Sequence, residues 1–278
     1  MTILCIDGLN FAHRARAGFA EGEHAVIFNF FRNLRSIVDR FKPTRIYYVT
    51  DGIPVKRRAM FKEYKANRKI PQEDVERRKM MHHFYDQVGA INKLMAESFP
   101  ISVIGHADHE ADDIIYNLIK RGSRAIDWVV MSTDTDFIQL LGEFSNVKLY
   151  NPVTKRYIEN PPYDYVMWKA LRGDGSDNID GFKGIGNVRA AGLIEDTHKL
   201  KAFLLEEPNR EKHWLRNIEL IRFIELSHQE VSEMKCSQPT RDWNHVKEQF
   251  KHWKFQSLLK PTTWEMFINT FDYLWGRT

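Results

Sequence analysis

The residues best suited to chemistry in this sequence are acidic, and they stand where short apolar runs stop. Asp7 follows ILCI, Asp51 follows IYYVT, Asp134 and Asp136 come just after WVVM, and Glu110, Asp112 and Asp113 open a helical pattern. Asp174 and Asp177 sit in a Gly-broken turn with Asp180 close behind. Each has a bland reading: Asp-Gly is common turn chemistry, and an acid in the first turn of a helix complements its dipole. Brought to one place, several carboxylates would repel and raise one another's pKa, and divalent cations remove that repulsion. Oxygen ligands without a His or Cys partner favour Mg²⁺ or Mn²⁺ over zinc. Two such ions can activate a water and stabilise the leaving oxygen of an in-line phosphoryl displacement. His106 and His109 flank Glu110 but lack ligand spacing with other histidines, so they are read as bystanders.

Two further features favour a phosphate partner. Gly184-Ile185-Gly186 leads into a short helical pattern, and a Gly-x-Gly turn at a helix start offers backbone N–H groups to an anion. Between residues 54 and 79, Lys56, Arg57, Arg58, Lys62, Lys65, Arg68, Lys69, Arg77, Arg78 and Lys79 face only Glu63, Glu73, Asp74 and Glu76. Such a run is commonly a solvated helix face. Beside a carboxylate-tipped strand it supplies the positive charge that phosphates need, an attraction that weakens with salt. Arg57 and Arg58 are read as contacts to DNA, and Tyr64 as a ring for stacking on an unpaired base.

The elements that must position these groups alternate. Strands are expected at residues 3–6, 45–50, 101–104, 128–131, 147–150 and 156–158, with helices at 24–41, about 71–98, 110–121 and 137–141. Strand–helix–strand units close a mainly parallel sheet whose ligand crevice lies beyond the C-terminal strand ends, so the fold class is α/β. After residue 161 the pattern is helical, most clearly at 211–226, 245–259 and 263–274. The expected organisation is an α/β domain over 1–160, including the basic stretch at about 54–98, and a helical region over 161–278 that contains the Gly-rich stretch 173–194, packed as one unit. Trp243, Trp253, Trp264 and Trp275 are read as packing onto the core.

Composition bounds rather than decides. A chain of 278 residues with 43% hydrophobic and 28% charged content is an ordinary globular protein, and its net charge of +4 is mild. Cys5 and Cys236 are expected to be free thiols in a reducing compartment. The apolar strand begins almost at Met1, so no signal peptide is expected, and no apolar run approaches the roughly 18 residues of a membrane span. A cytoplasmic location is the expectation.

The motifs also occur in the order of a known family. DGLN at 7–10, TDG at 50–52, YKANR at 64–68, EADD at 110–113, STDTDF at 132–137 and GDGSDNIDGFKGIG at 173–186 resemble the 5′-nuclease superfamily. Within it the chain is most similar to bacteriophage flap endonucleases/5′–3′ exonucleases and to the 5′-nuclease domain of bacterial DNA polymerase I. The resemblance runs to about residue 205. It implies an α/β domain with a helical arch over the site and a helix–hairpin–helix-like DNA clamp. It implies that Asp7, Asp51, Glu110, Asp112 and Asp113 serve mainly one divalent ion and Asp134, Asp136, Asp174 and Asp177 a second. Lys65 and Arg68 would be catalytic residues of the arch that steer the scissile phosphate. Lys183, Gly184, Ile185, Gly186, Asn187 and Arg189 would hold duplex backbone, with K⁺ at the hairpin. The partners implied are DNA with 5′ ends, flaps or nicks, RNA/DNA hybrid as a further substrate, and replication proteins, for a monomeric enzyme. The chain departs from the family pattern at Thr133 (usually Gly), Thr135 (usually Lys) and Val188 (usually Lys).

Two other classes fit less of the sequence. A module that binds branched DNA without cutting would need no carboxylate set, and a phosphatase for small esters would need neither the hairpin nor the basic run.

Overall fold

A computed structural model describes residues 1–276; the last two residues of the expected 161–278 region lie outside the described residues. Among the described residues nine strands occur: β1 (Thr2–Asp7), β2 (Arg45–Thr50), β3 (Ser102–Gly105), β4 (Asp127–Met131), β5 (Val147–Asn151), β6 (Arg156–Ile158), β7 (Gly173–Asp174), β8 (Ile179–Asp180) and β9 (Lys235–Cys236). Seven form one sheet in the order β6-β5-β4-β1-β2-β3-β9. The five central strands run parallel, and the two edge strands are antiparallel.

β1 shows why the run ILCI is apolar throughout. Successive side chains of a strand point to opposite faces, and both faces here are covered. Leu4 and Ile6 join a core with the helices Ala25–Phe41 and Val75–Ser98, while Ile3 and Cys5 join a second core with the helices Ala111–Arg121 and Ile138–Glu143. β4 divides the same way, with Val129 and Met131 on the first face and Trp128 and Val130 on the second. Each such side chain stabilises the fold by roughly 1.5–3 kcal/mol on burial.

The helical half of the chain does not form one body of its own. Tyr165–Arg172, Asn187–Glu195, Thr197–Leu205 and Arg210–Ile221 share a third core. The later helices Trp243–His252, Gln256–Leu259 and Pro261–Asp272 return to the first sheet face, where Phe250, Phe267 and Phe271 are buried against Phe31 and Phe99. Trp253 and Trp264 are buried in that contact as expected, Trp243 is partly buried, and Trp275 is exposed.

Several elements differ from the sequence reading, the first being the helix Gly8–Ala15 directly after β1. β9 adds an edge strand to β3 within a stretch read as helical, and β7 and β8 form a two-stranded hairpin around Asp174–Asp177. Two-residue strands are too short to show a period. The basic stretch contains a short helix, Val55–Met60, and then a loop that turns back on residues 175–178.

Candidate metal centre and nucleic-acid interface

The parallel register brings the acids together. Ile6 lies opposite both Tyr48 and Met131, so β1, β2 and β4 end level, and Asp7, Asp51 and Ser132–Asp134 emerge side by side. The β3 end turns to deliver Glu110 and Asp112. Gly52 makes that approach possible: its N–H donates to the His109 carbonyl at 2.8 Å, and a Cβ there would lie 2.0 Å from the His106 carbonyl.

Local hydrogen bonds aim each carboxylate. Asp7 accepts from the Asn10 N–H at the start of the helix Gly8–Ala15, and Asp51 accepts from the Ala111 N–H at the start of its helix. Asp134 accepts from the Asp136 N–H, and Asp174 from the N–H and hydroxyl of Ser176. The Ser132 hydroxyl donates to Asp7 Oδ2 at 3.1 Å and accepts from the Asp134 N–H at 3.0 Å, tying two strand ends together. These bonds fix the carboxylates on rigid elements and leave oxygens for a ligand.

Asp7, Asp51, Glu110, Asp112 and Asp134 floor a pocket of about 640 Å³ whose walls carry Arg58, Lys62, Lys65, Arg68 and Lys69. Glu110, Asp112 and Asp113 each offer an oxygen within 4.8 Å of the others, and so do Asp136, Asp174 and Asp177. Asp134, expected with Asp136, Asp174 and Asp177, lines the pocket with Asp7, Asp51, Glu110 and Asp112, while Asp136, Asp174 and Asp177 form a second group on the turn after β4 and on the β7–β8 hairpin. Oxygen-only donors with spare lone pairs fit a hard divalent cation.

Crowding shows in the acidities. Burial, then the neighbouring Asp51, raise Asp7 well above the carboxylate range. Asp51 is reached by solvent at the pocket floor but walled by protein; that enclosure, with Asp112 and Glu110, pushes it up to about 6 against its bond from Ala111. Burial likewise raises Asp134, and raises Asp136 to about 7 against the pull of Lys169. Asp174 goes the other way: Lys169 and Ser176 outweigh burial and hold it near 2.

The basic segment divides sharply by burial, and two sequence expectations are corrected. Arg57 is 1% exposed. Its guanidinium donates to Asp113 at 2.5 and 2.8 Å, to Glu110 at 3.0 Å, and to the Leu220 and Arg222 carbonyls. A side chain enclosed in this way is a strut between the basic helix, the Ala111–Arg121 helix and residues 220–222, not a DNA contact. Asp113 gives both oxygens to that strut, and one also accepts from the Ile224 N–H, so it braces the site from behind the pocket lining. Tyr64 is 3% exposed, packed in the third core, with its hydroxyl donating to Glu110 and Asp177 at 3.1 Å each. It positions carboxylates and has no face free for a base. The alternation of charge in the segment carried no sign of this, because burial of Arg57 needs an acid that is 56 residues away in sequence.

Lys65 and Arg68 do reach the acids. The Lys65 ammonium bonds Glu110 and lies 3.6 Å from Asp177, and Arg68 bonds Asp177 and the Ser176 carbonyl. Lys65 occupies the left-handed region (φ 57°), and its own N–H donates to the Asp177 carbonyl, which turns its side chain into the site. Arg58 is exposed on the pocket wall.

The glycine turn lies outside the lining of the acid-floored pocket. Lys183, Gly184, Gly186, Asn187 and Arg189 are exposed, whereas Ile185 is buried and anchors the turn through its N–H to the Phe182 carbonyl. Gly184 has φ +76°, a conformation that favours glycine, and the Arg189 guanidinium stands beside it. Val188 is 87% exposed at the tip. One residue escaped the sequence reading altogether. Lys169 lies in an apolar helix five residues before Asp174, and its buried ammonium bonds Asp136 and, at 2.6 Å, Asp174. In sequence it is indistinguishable from a last-turn lysine complementing the helix dipole.

A parallel sheet with an acid-floored pocket at its C-terminal edge, a cationic loop folded over it and an exposed glycine hairpin beside it defines a phosphodiester-handling class. Residues 2–166 match the family described as 5′-3′ exonuclease, N-terminal resolvase-like domain, and the chain belongs to that family. The 5′-3′ exonuclease of Bacillus subtilis is 31% identical over 224 residues, covering 73% of this chain and 72% of that protein. DNA polymerase I of Chloroflexus aurantiacus is 29% identical over 226 residues, 73% of this chain but 23% of the polymerase. The chain thus spans about a quarter of the length of that polymerase. Among solved structures, T5 5′-exonuclease with bound divalent zinc superposes with a TM-score of 0.67 at 21% identity, covering 80% of this chain and 89% of that one. The catalytic core of Rad2 in complex with DNA substrate gives 0.52 at 14% identity, covering 96% and 91%. At these identities the two structures share the fold.

Proposed function

We propose that this chain is a metal-dependent, structure-specific 5′-nuclease that hydrolyses phosphodiesters in DNA at 5′ ends, flaps or nicks. The observation that carries the reading is the pocket in which five carboxylates from four chain segments meet a wall of five Lys and Arg side chains. Acids alone would repel a phosphate; acids bridged to it by a cation, under a basic rim, attract it.

The ion is Mg²⁺ or Mn²⁺, and two ions at the two acid groups is the fuller form of the reading. Bound there, divalent cations supply an acidified water and charge compensation for the leaving oxygen. The chain's own groups do the rest. Asp7, Asp51, Asp112 and Asp134 fix the cation-binding oxygens, Ser132 and Tyr64 hold the carboxylates in register, and Lys65 and Arg68 draw the phosphate into the pocket and steady its charge. Water oxygen bonds to phosphorus as the P–O3′ bond breaks, leaving a 5′-phosphate and a 3′-hydroxyl. The exposed turn at 183–189 grips duplex backbone through N–H groups and Arg189, with K⁺ as its counter-ion, so the hairpin sets the distance from duplex to cut. The same reading takes RNA/DNA hybrid as a further substrate. It makes the enzyme a monomer of the cytoplasm that works with replication proteins.

The test uses a 5′-labelled flap and a nicked duplex with Mg²⁺ or EDTA. Cleavage is expected with Mg²⁺ alone, and Asp134→Asn should abolish it while branched DNA still binds. Full Mg²⁺-dependent cleavage by Asp134→Asn would refute the assignment.

A further inference from the structure

The two acid groups are not equivalent in what already neutralises them. Among the described residues, Asp7, Asp51, Asp112 and Asp134 make no ion pair; Glu110 is paired to Lys65 and Arg57, and Asp177 to Lys65 and to Arg68, whose side chain is 55% exposed. Asp136 and Asp174 are bridged instead by Lys169, which is 3% exposed and held on a helix whose other buried residues are Tyr165, Val166, Trp168, Ala170 and Leu171. An ammonium is expensive to bury without partners. On this apolar face only the two carboxylates offset that cost.

Its position is the one a shared ion would take. Asp136, Asp174 and Asp177 present oxygens within 4.8 Å of one another, and the ammonium bonds two of the three. Mg²⁺ binds carboxylate oxygen at about 2.0–2.1 Å, so an ion between Asp136 and Asp174 and an ammonium touching the same oxygens would repel at close range. One cation must leave for the other to enter.

We propose that Lys169 is the resident counter-cation of the Asp136–Asp174–Asp177 group and competes with a divalent ion for it. The chain then carries one standing divalent site, at Asp7, Asp51, Glu110, Asp112 and Asp134, and a second that opens when the ammonium withdraws. A phosphodiester entering the pocket brings the negative charge that gives the withdrawn ammonium a new partner, so occupancy of the second site is coupled to substrate. The inference rests on the metal-dependent reading above and deepens it.

Counting Mn²⁺ bound to the full chain without DNA tests it, by titration calorimetry with electron paramagnetic resonance of the free ion. The wild type is expected to bind one Mn²⁺ tightly. Lys169→Met is expected to bind two, the second at least about tenfold tighter than any second ion in the wild type, as removal of a unit charge about 4 Å from a divalent site implies. Lys169→Arg, which keeps the charge, should stay at one. In EDTA, Lys169→Met should melt below the wild type and gain more from Mn²⁺. Two equally tight ions in the wild type, or no second ion in Lys169→Met, overturns the proposal while leaving metal dependence standing. No Mn²⁺ binding in the wild type overturns both. If Lys169→Met does not fold, Asp136→Asn decides: an unchanged single tight ion, lost in Asp7→Asn, supports the proposal, and loss of that ion in Asp136→Asn overturns it.

Discussion

Replacing Arg57 by Met gives the sharpest division between a structural and a DNA-contacting role for the basic segment. The guanidinium and its Asp113 partner are 2% and 1% exposed, and the same side chain satisfies Glu110 and two backbone carbonyls. Asp112 and Asp113 outweigh burial to keep Arg57 charged. Asp113 is itself raised to about 7, by burial first and Asp112 second, against the pull of Arg57. Removing the arginine leaves Asp113 buried without its counter-charge, and breaking such a pair costs about 3–5 kcal/mol. For a chain of this size about 1 kcal/mol moves the melting temperature by roughly 2–4 °C, so a fall of roughly 10 °C is expected. Thermal denaturation followed by circular dichroism, at fixed ion concentration, measures it. The double variant Arg57→Met/Asp113→Asn should be less destabilised than the sum of the single changes, by about 1–3 kcal/mol. A surface phosphate contact behaves oppositely: stability is unchanged, and the salt dependence of DNA affinity drops by about 0.9 in log–log slope. That second pattern for Arg57→Met would refute the buried strut.

Other outcomes follow from the same geometry. Lys65→Ala should slow cleavage of a flap far more than it weakens binding, since its ammonium sits among Glu110 and Asp177 at the pocket; equal losses would reduce it to an affinity contact. Tyr64→Phe removes a buried hydroxyl that donates to Glu110 and Asp177, and should cost about 1 kcal/mol in denaturant unfolding with duplex affinity unchanged. Gly184→Ala forces a Cβ into φ +76° on the exposed hairpin, so affinity for duplex should fall while a short single-stranded substrate is cut as before. In EDTA the fold should lose stability as pH rises from about 5 to 8. Asp51 and Asp136, pushed up by burial to about 6 and about 7 from the ordinary carboxylate range, keep protons in the folded chain that the unfolded chain has released, and added Mn²⁺ should reverse the loss at the top of that range. A melting temperature that rises over that window in EDTA would count against the crowded-acid account.

The sequence by itself determined the strand ends and the acids placed on them. ILCI and WVVM are apolar throughout because each lies between two covered faces, and an Asp directly after such a run has to emerge at the sheet edge, as Asp7 does. Parallel strands end at one edge, so the gathering of acids followed from chain order and type alone, and Gly184–Gly186 was legible as a turn because Gly184 takes a backbone conformation (φ +76°) that few other residues adopt. Only the tertiary structure decided which charges face which. Arg57 and Arg58 are neighbours in the chain, yet one is enclosed by Asp113 and residues 220–222 while the other lines the pocket. Tyr64 turns inward because Glu110 and Asp177 arrive from elements 46 and 113 residues further on. Lys169 looks like any helical lysine until folding sets its ammonium between Asp136 and Asp174. Periodicity is a local property that one segment carries alone. Pairing of charges is settled by contacts between segments, which no single window of sequence contains.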